Sequence, residues 1–194
     1  MLCHEQNLKN IIAEIKPLNK EAMKKAQERL DMLAKPPGSL GKLETIAAQL
    51  AGITGNLYNR VDKKAIIIMC SDNGIFEEGV ASTPQVVTLN QTLNFSRGLT
   101  GVAAIANQFN TDLIVVDVGV NADFSHPQVI NRKIRKSTSN FAKTHAMTRD
   151  EAVKALHIGI EMAQKAYDDG YQILGVGEMG IGNTTTSSAI LSAL

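Results

Sequence analysis

The chain has 194 residues, 44% hydrophobic and 20% charged, and a formal net charge of +1. That length suits one domain, or one domain with a small appendage, around a sizeable core. The balanced charge gives no whole-chain field to draw nucleic acid or a membrane surface, no apolar run reaches transmembrane length, and a chain without tryptophan is a poor base-stacking platform. The N-terminus reads without a secretory apolar stretch, so a cytoplasmic protein is expected. Cys3 and Cys70 form no disulfide framework. Cys70 closes the apolar run Ile66-Ile-Ile-Met-Cys70 and is expected to be a buried, reduced thiol.

Residues 1–60 are expected to be a helical segment. Leu8, Ile11, Ile12 and Ile15 make a short amphipathic stripe that stops at Lys16-Pro17. Asn19 is positioned to cap a second helix that carries Met23, Ala26, Leu30 and Leu33 on one face. Lys35-Pro-Pro-Gly-Ser-Leu-Gly41 breaks it. Ser39 is a candidate cap for a third helix with Leu43, Ile46, Ala47 and Leu50 inward, and 52–58 reads as a linker.

From about residue 61 the pattern becomes α/β, expected over 61–194. Ala65 to Met69 is an apolar run of strand length, as for a strand covered on both faces. Thr83-Pro84 predicts a helix start, with a capping hydroxyl and then proline at the first turn, and a helix running to about Arg97. Val102 to Gln108 predicts another helix and Leu113 to Asp117 a second buried strand. Lys133 to Thr138 predicts a strand with a basic face. Thr148-Arg-Asp-Glu151 is a capping box that opens a helix striped by Val153, Leu156, Ile160, Ala163 and Tyr167. After Gly170, a third buried strand is expected over 172–176. Strands alternating with helices imply a mainly parallel sheet with flanking helices.

Ligands of such sheets bind beyond the carboxyl ends of the strands. Here those ends give Ser71-Asp-Asn-Gly74 with Glu77-Glu78, then Asp117, Asn121 and Asp123, then Glu178 with a glycine loop. The acids could serve as bases or ribose contacts, or simply be the polar residues that turns favour. The segment Gly175-Val-Gly-Glu-Met-Gly-Ile-Gly-Asn-Thr-Thr185 is neither a Walker loop nor a dinucleotide fingerprint. It leaves a generic phosphate cradle from Gly180, Gly182, Asn183 and Thr184 to Thr186, against the alternative of a tight strand-to-helix turn. Glu178, flanked by Val176 and Met179, would be a desolvated base, or else a carboxylate satisfied by the loop's own N–H groups. Four scattered histidines give no metal-ligand spacing, so no metal and no cofactor are expected. The cluster Arg132, Lys133, Arg135, Lys136 reads as a solvated face or as a phosphate contact.

Four segments in order carry a resemblance: Leu33-Ala-Lys-Pro-Pro-Gly-Ser-Leu-Gly-Lys-Leu-Glu44, Ser71-Asp-Asn-Gly74 with Glu77-Glu-Gly-Val80, Ser96-Arg-Gly-Leu-Thr-Gly101, and Gly175 to Thr185. Through them the chain resembles the nicotinate-nucleotide–dimethylbenzimidazole phosphoribosyltransferase family along essentially its whole length. The resemblance implies a Rossmann-like domain, a small helical domain built from both chain ends, and a homodimer. It implies that 5,6-dimethylbenzimidazole displaces nicotinate from nicotinate mononucleotide with inversion at C1′. On the matching positions Glu178 is the catalytic glutamate, Gly180, Asn183 and Thr184 bind the nucleotide, and Thr83 and Gln91 line the benzimidazole pocket.

Departures from the pattern accompany it. Asn73 stands where histidine is common, and Thr144-His145 replaces Gly-Pro. Thr83 replaces a usual serine and keeps the hydroxyl. Family chains are considerably longer, and their second half supplies another active-site glutamate, taken as the general base. The chain therefore reads as an N-terminal portion with an incomplete sheet, leaving Ile190, Leu191 and Leu194 exposed unless a partner covers them. Three functions follow as expectations. The chain could be an enzyme of this reaction, a non-catalytic nucleotide- or benzimidazole-binding fragment, or a half that assembles with another copy or a separate chain.

Overall fold

A computed structural model describes residues 2–194, with side-chain surroundings from Glu5 onward. Cys3 therefore lies outside the described side chains. The chain forms two compact units, one of Lys9–Val61 and one of Asp62–Leu194 together with the N-terminal residues up to Leu8.

Helix α1 spans Leu2–Glu14, α2 Lys20–Asp31 and α3 Lys42–Thr54. Asn19 caps α2 as its sequence position predicts, accepting the Ala22 N–H at 3.0 Å. The inward face of α3 differs from the expected one. Glu44, Ala48, Ala51 and Gly52 are buried, while Leu43 and Ile46 are exposed. The reason is close helix approach: Ala22 and Ala26 of α2 meet Ala48 and Ala51, and a Cβ on Gly52 would stand 2.6 Å from Met23 Cγ. Small side chains set the register, and the larger ones turn out. Gly41, not Ser39, precedes α3, and no side chain caps it. The Pro-Pro-Gly break is held by Lys35, whose ammonium lies 2.8 Å from the buried Glu44 carboxylate. That same oxygen accepts the Leu40 N–H, and the Lys35 bond holds the Glu44 carboxyl below its usual range.

The second unit is α/β. Strands β1 (Lys64–Ser71), β2 (Thr111–Gly119), β3 (Val129–Asn131) and β4 (Ile173–Met179) form one sheet in the order β3-β2-β1-β4, and every neighbouring pair is parallel. Helices α4 (Val87–Ser96), α5 (Gly101–Gln108), α6 (Arg149–Asp168) and α7 (Asn183–Ala193) complete it. The run Ile66 to Cys70 is continuous because both of its faces are covered. Ile68 and Cys70 pack with Phe95 of α4 on one side. Ile67 packs with Ile158 and Met162 of α6 on the other.

Helix α6 starts on the expected capping box, with Thr148 and Glu151 bonding reciprocally. Its buried stripe is Val153, Ile158, Met162 and Ala166, however, and Leu156 and Tyr167 are exposed. Of the residues expected inward, Val153 alone is fully buried. Helix α4 begins at Val87, three residues after Pro84. A turn intervenes, closed by the Val87 and Thr88 N–H groups onto the carbonyls of Pro84 and Gln85, so Thr83 is not its cap. No strand spans 133–138. There the N–H groups of Arg132, Ile134 and Ser137 bond to the carbonyls of Asp117, Val118 and Gly119, and Ser137 at φ 58° interrupts the extended pattern.

The last strand departs furthest from expectation. β4 continues through Gly177 and Glu178 to Met179, so most of the expected glycine loop is strand. It is also an edge strand, with Val176 87% exposed. α7 follows it with no buried residue. No helix among the described residues is long and apolar enough to cross a membrane.

Candidate active site

β1 has β2 on one side and β4 on the other. The strand order therefore reverses beside β1, and in parallel sheets the carboxyl ends at such a reversal diverge to leave a ligand crevice. The segments there are Ser71-Asp-Asn-Gly74 after β1 and Gly180-Ile-Gly182 after β4.

Three contacts lock these segments together. Asn73 is buried, its Nδ2 donates to the Ile181 carbonyl at 3.3 Å, and its Oδ1 accepts from Thr186 Oγ1 at 3.0 Å. The fully buried Thr88 of α4 accepts the Ile181 N–H at 3.0 Å. Gly180 lies so close to β1 that a Cβ there would overlap the Ser71 carbonyl oxygen. Gly182, at φ 87°, then turns the chain into α7. On the other side of β1, Gly74 lets residues 138–140 pack directly on its backbone, where a Cβ would meet Thr138 O at 2.5 Å.

Glu178 is exposed at the end of β4, and its Oε1 accepts from Asn183 Nδ2 at 2.6 Å. The desolvating wall expected beside it is not there, because Val176 stands in the open. The carboxylate is held by a neutral amide. Asn183 Oδ1 in turn accepts the Thr184 N–H at 2.9 Å. The expected phosphate cradle is largely engaged within itself. Ile181 N–H goes to Thr88, Asn183 N–H to the Gly180 carbonyl, and Thr185 and Thr186 N–H to the Gly182 carbonyl. An anion here would be met by side chains at least as much as by free backbone.

The other acids at this edge have structural employment. Asp117 is buried, accepts the Gly119 and Val120 N–H groups, and lies 3.2 Å from Lys133 Nζ. Glu77 and Glu78 share Lys143 and Asn140. The Lys143 bond holds the Glu77 carboxyl below its usual range, and the Asn140 bond does so for Glu78. Asp123 pairs with Lys136. Asp72 is buried, with Oδ2 on the Asn121 N–H at 2.7 Å and Oδ1 without a partner. The basic cluster is paired residue by residue: Arg132 with Glu161, Lys133 with Asp117, Arg135 with Glu151, Lys136 with Asp123. No group of three or more His, Cys, Asp or Glu side chains that could hold a metal occurs among the described residues.

Glu178, Gly180, Asn183 and Thr184 thus share one strand end and turn. Gln91 lies three residues after Thr88 on α4, half-buried, its Oε1 buried without a hydrogen-bond partner. Thr83 is exposed in the segment before α4, and no contact ties it to Glu178. Sequence reasoning did not single out Thr88, and it placed Thr186 in the phosphate cradle and not against Asn73. An isolated threonine on a helix carries no signal of a bond to a residue far along the chain.

Comparison with known proteins agrees with this fold. Residues 15–194 match a family described as phosphoribosyltransferase. A nicotinate-nucleotide–dimethylbenzimidazole phosphoribosyltransferase of Clostridium perfringens is 59% identical over 187 residues, covering 96% of this chain and 52% of its own length. One from Ruminiclostridium cellulolyticum is 57% identical over 94% of this chain and 52% of its own. A crystal structure of such an enzyme from Thermus thermophilus superposes with a TM-score of 0.87 at 38% identity, over 91% of this chain and 54% of that one. The chain spans about half the length of the relatives it matches.

Proposed function

The chain belongs to this phosphoribosyltransferase family, and from that premise we propose that it moves the 5-phosphoribosyl group of nicotinate mononucleotide to 5,6-dimethylbenzimidazole, giving α-ribazole 5′-phosphate and nicotinate. The observation that carries the reading is Glu178, an exposed carboxylate oriented by Asn183 at the end of β4, beside the point where the strand order reverses. The relatives' names supply the substrates.

In the proposed reaction a benzimidazole nitrogen bonds to C1′, and the bond from C1′ to the pyridinium nitrogen breaks. The electron pair leaves with the pyridine, and the benzimidazole N–H proton is released. Positive charge grows on the ribose, and the Glu178 carboxylate opposes it without having to reorient, because Asn183 already holds it. Gly180, Asn183 and Thr184 grip the nucleotide, and Thr83 and Gln91 hold the incoming base. The working form is a cytoplasmic homodimer, to be checked by sedimentation.

The test is chromatography of the full chain incubated with both substrates. α-Ribazole 5′-phosphate above the no-enzyme background is expected, and none at high enzyme concentration would exclude catalysis. A second reading, ligand binding without turnover, is favoured by the bare face of β4 around Val176. Calorimetric binding of nicotinate mononucleotide without product would establish it.

A further inference from the structure

A cavity of about 210 Å³ opens at the carboxyl edge of the sheet, between β2 and α6. Ile134, Met147 and Ala155 give it apolar walls, Arg135 stands at it, and Asn73 and Thr186 border it. The last two are the side chains that lock the β4–α7 turn. We infer that this cavity receives the pyridine-3-carboxylate ring that leaves C1′, with the Arg135 guanidinium meeting the ring's carboxylate. The inference rests on the proposed reaction.

Size limits the occupant. An apolar cavity of about 150 Å³ holds benzene, so one ring with a carboxylate fits here. The face of the sheet agrees. Glu178 pairs in register with Met69 and Val176 with Ile67, and Ile67 and Met69 belong to the cluster packed under α6. Glu178 and the cavity therefore share the α6 side. Thr83 and Gln91, proposed to hold the entering base, belong to the segment leading into α4 and to α4 itself, which packs on the opposite face. Displacement with inversion needs the entering and leaving groups on opposite faces of the sugar carbon, and the two sides of the sheet edge supply them.

Arg135 has donors to spare. Nη1 lies 3.5 Å from Glu151 and Nη2 3.3 Å from Ser139 Oγ, whereas a guanidinium carries five N–H groups suited to bidentate carboxylates. The side chain is 41% exposed, so it can be reached from solvent. Glu151 does not claim it fully, because its other oxygen accepts the Thr148 N–H at 2.7 Å in the α6 cap.

The experiment titrates the full chain calorimetrically with nicotinate, nicotinamide and ribose 5-phosphate, with turnover measured alongside. Nicotinate is expected to bind, and uncharged nicotinamide to bind at least about tenfold more weakly. Arg135→Gln should erase that preference. Ala155→Phe should fill the cavity and remove nicotinate binding while ribose 5-phosphate still binds. Glu151→Gln guards against a mere folding defect: glutamine still serves the capping box, Arg135 stays, and nicotinate should bind as well or better. No nicotinate binding, or binding unchanged in both Arg135→Gln and Ala155→Phe, overturns the inference. Nicotinate binding with the expected variant pattern but no turnover would leave the cavity standing and remove the reaction instead.

Discussion

β1 and β4 lie side by side in register, and both read as apolar strands, yet they do opposite work. β1 is covered on both faces, with Cys70 and Ile68 almost wholly enclosed. β4 has one neighbour and leaves Ile173, Leu174 and Val176 in the open. The rigid strand carries no exposed reactive group of its own. The open strand carries Glu178, and it depends on its neighbour for order: Gly180 against the Ser71 carbonyl, Asn73 against Ile181 and Thr186. The lesson is that an edge strand can hold an exposed carboxylate in place when the adjacent buried strand supplies the anchor points.

Gly180→Ala attacks that dependence hardest. Its Cβ would overlap backbone, not a flexible side chain, so the turn must move, and a loss of about 3 kcal/mol is expected in urea denaturation. A wild-type midpoint would break the comparison. Next comes the alkaline response of the buried strand. Burial, the largest cause, pushes the Cys70 thiol from 9.0 to about 11. The unfolded chain then loses this proton first, so stability holds below pH 9 and falls by about 2 kcal/mol by pH 11. Cys70→Ala should flatten that part of the pH curve.

Asn73→Ala removes both sides of the clamp and leaves the Ile181 carbonyl unpaired, at about 2 kcal/mol. Hydrogen exchange should quicken in the β4–α7 turn before it does in β1. Asn73→Asp sharpens the point, because it sets an acceptor against that carbonyl and should cost more than alanine. The smallest effect belongs to the edge face. Val176→Lys should change stability by less than about 0.5 kcal/mol, and a large loss would mean that something covers β4 in solution.

Much of the fold was legible in the sequence. The Thr148–Glu151 box and Asn19 marked their helices, and the Ile66–Cys70 run marked a strand covered on both faces. Helix faces were less legible. In α3 the larger residues suggested one side, but alanines and Gly52 took the interior, since how closely two helices approach is a property of the pair. The apolar residues of β4 suggested burial, and strand order, which no local pattern encodes, put them at the edge. In the candidate site, Glu178, Gly180, Asn183 and Thr184 follow one another closely and were found together. Thr88 and Thr186 act through contacts across long stretches of chain, and Asn73, noted as a departure from the family pattern, emerged as the clamp on the turn.

The central claim is that Glu178, held by Asn183 on an otherwise open strand, stabilises the reacting ribose. Glu178→Gln tests it most directly, because the residue is exposed and its loss should leave the fold intact. The account predicts unchanged thermal stability and a fall of about 100-fold or more in the rate of α-ribazole 5′-phosphate formation. Formation at the wild-type rate by a folded Glu178→Gln chain would contradict it.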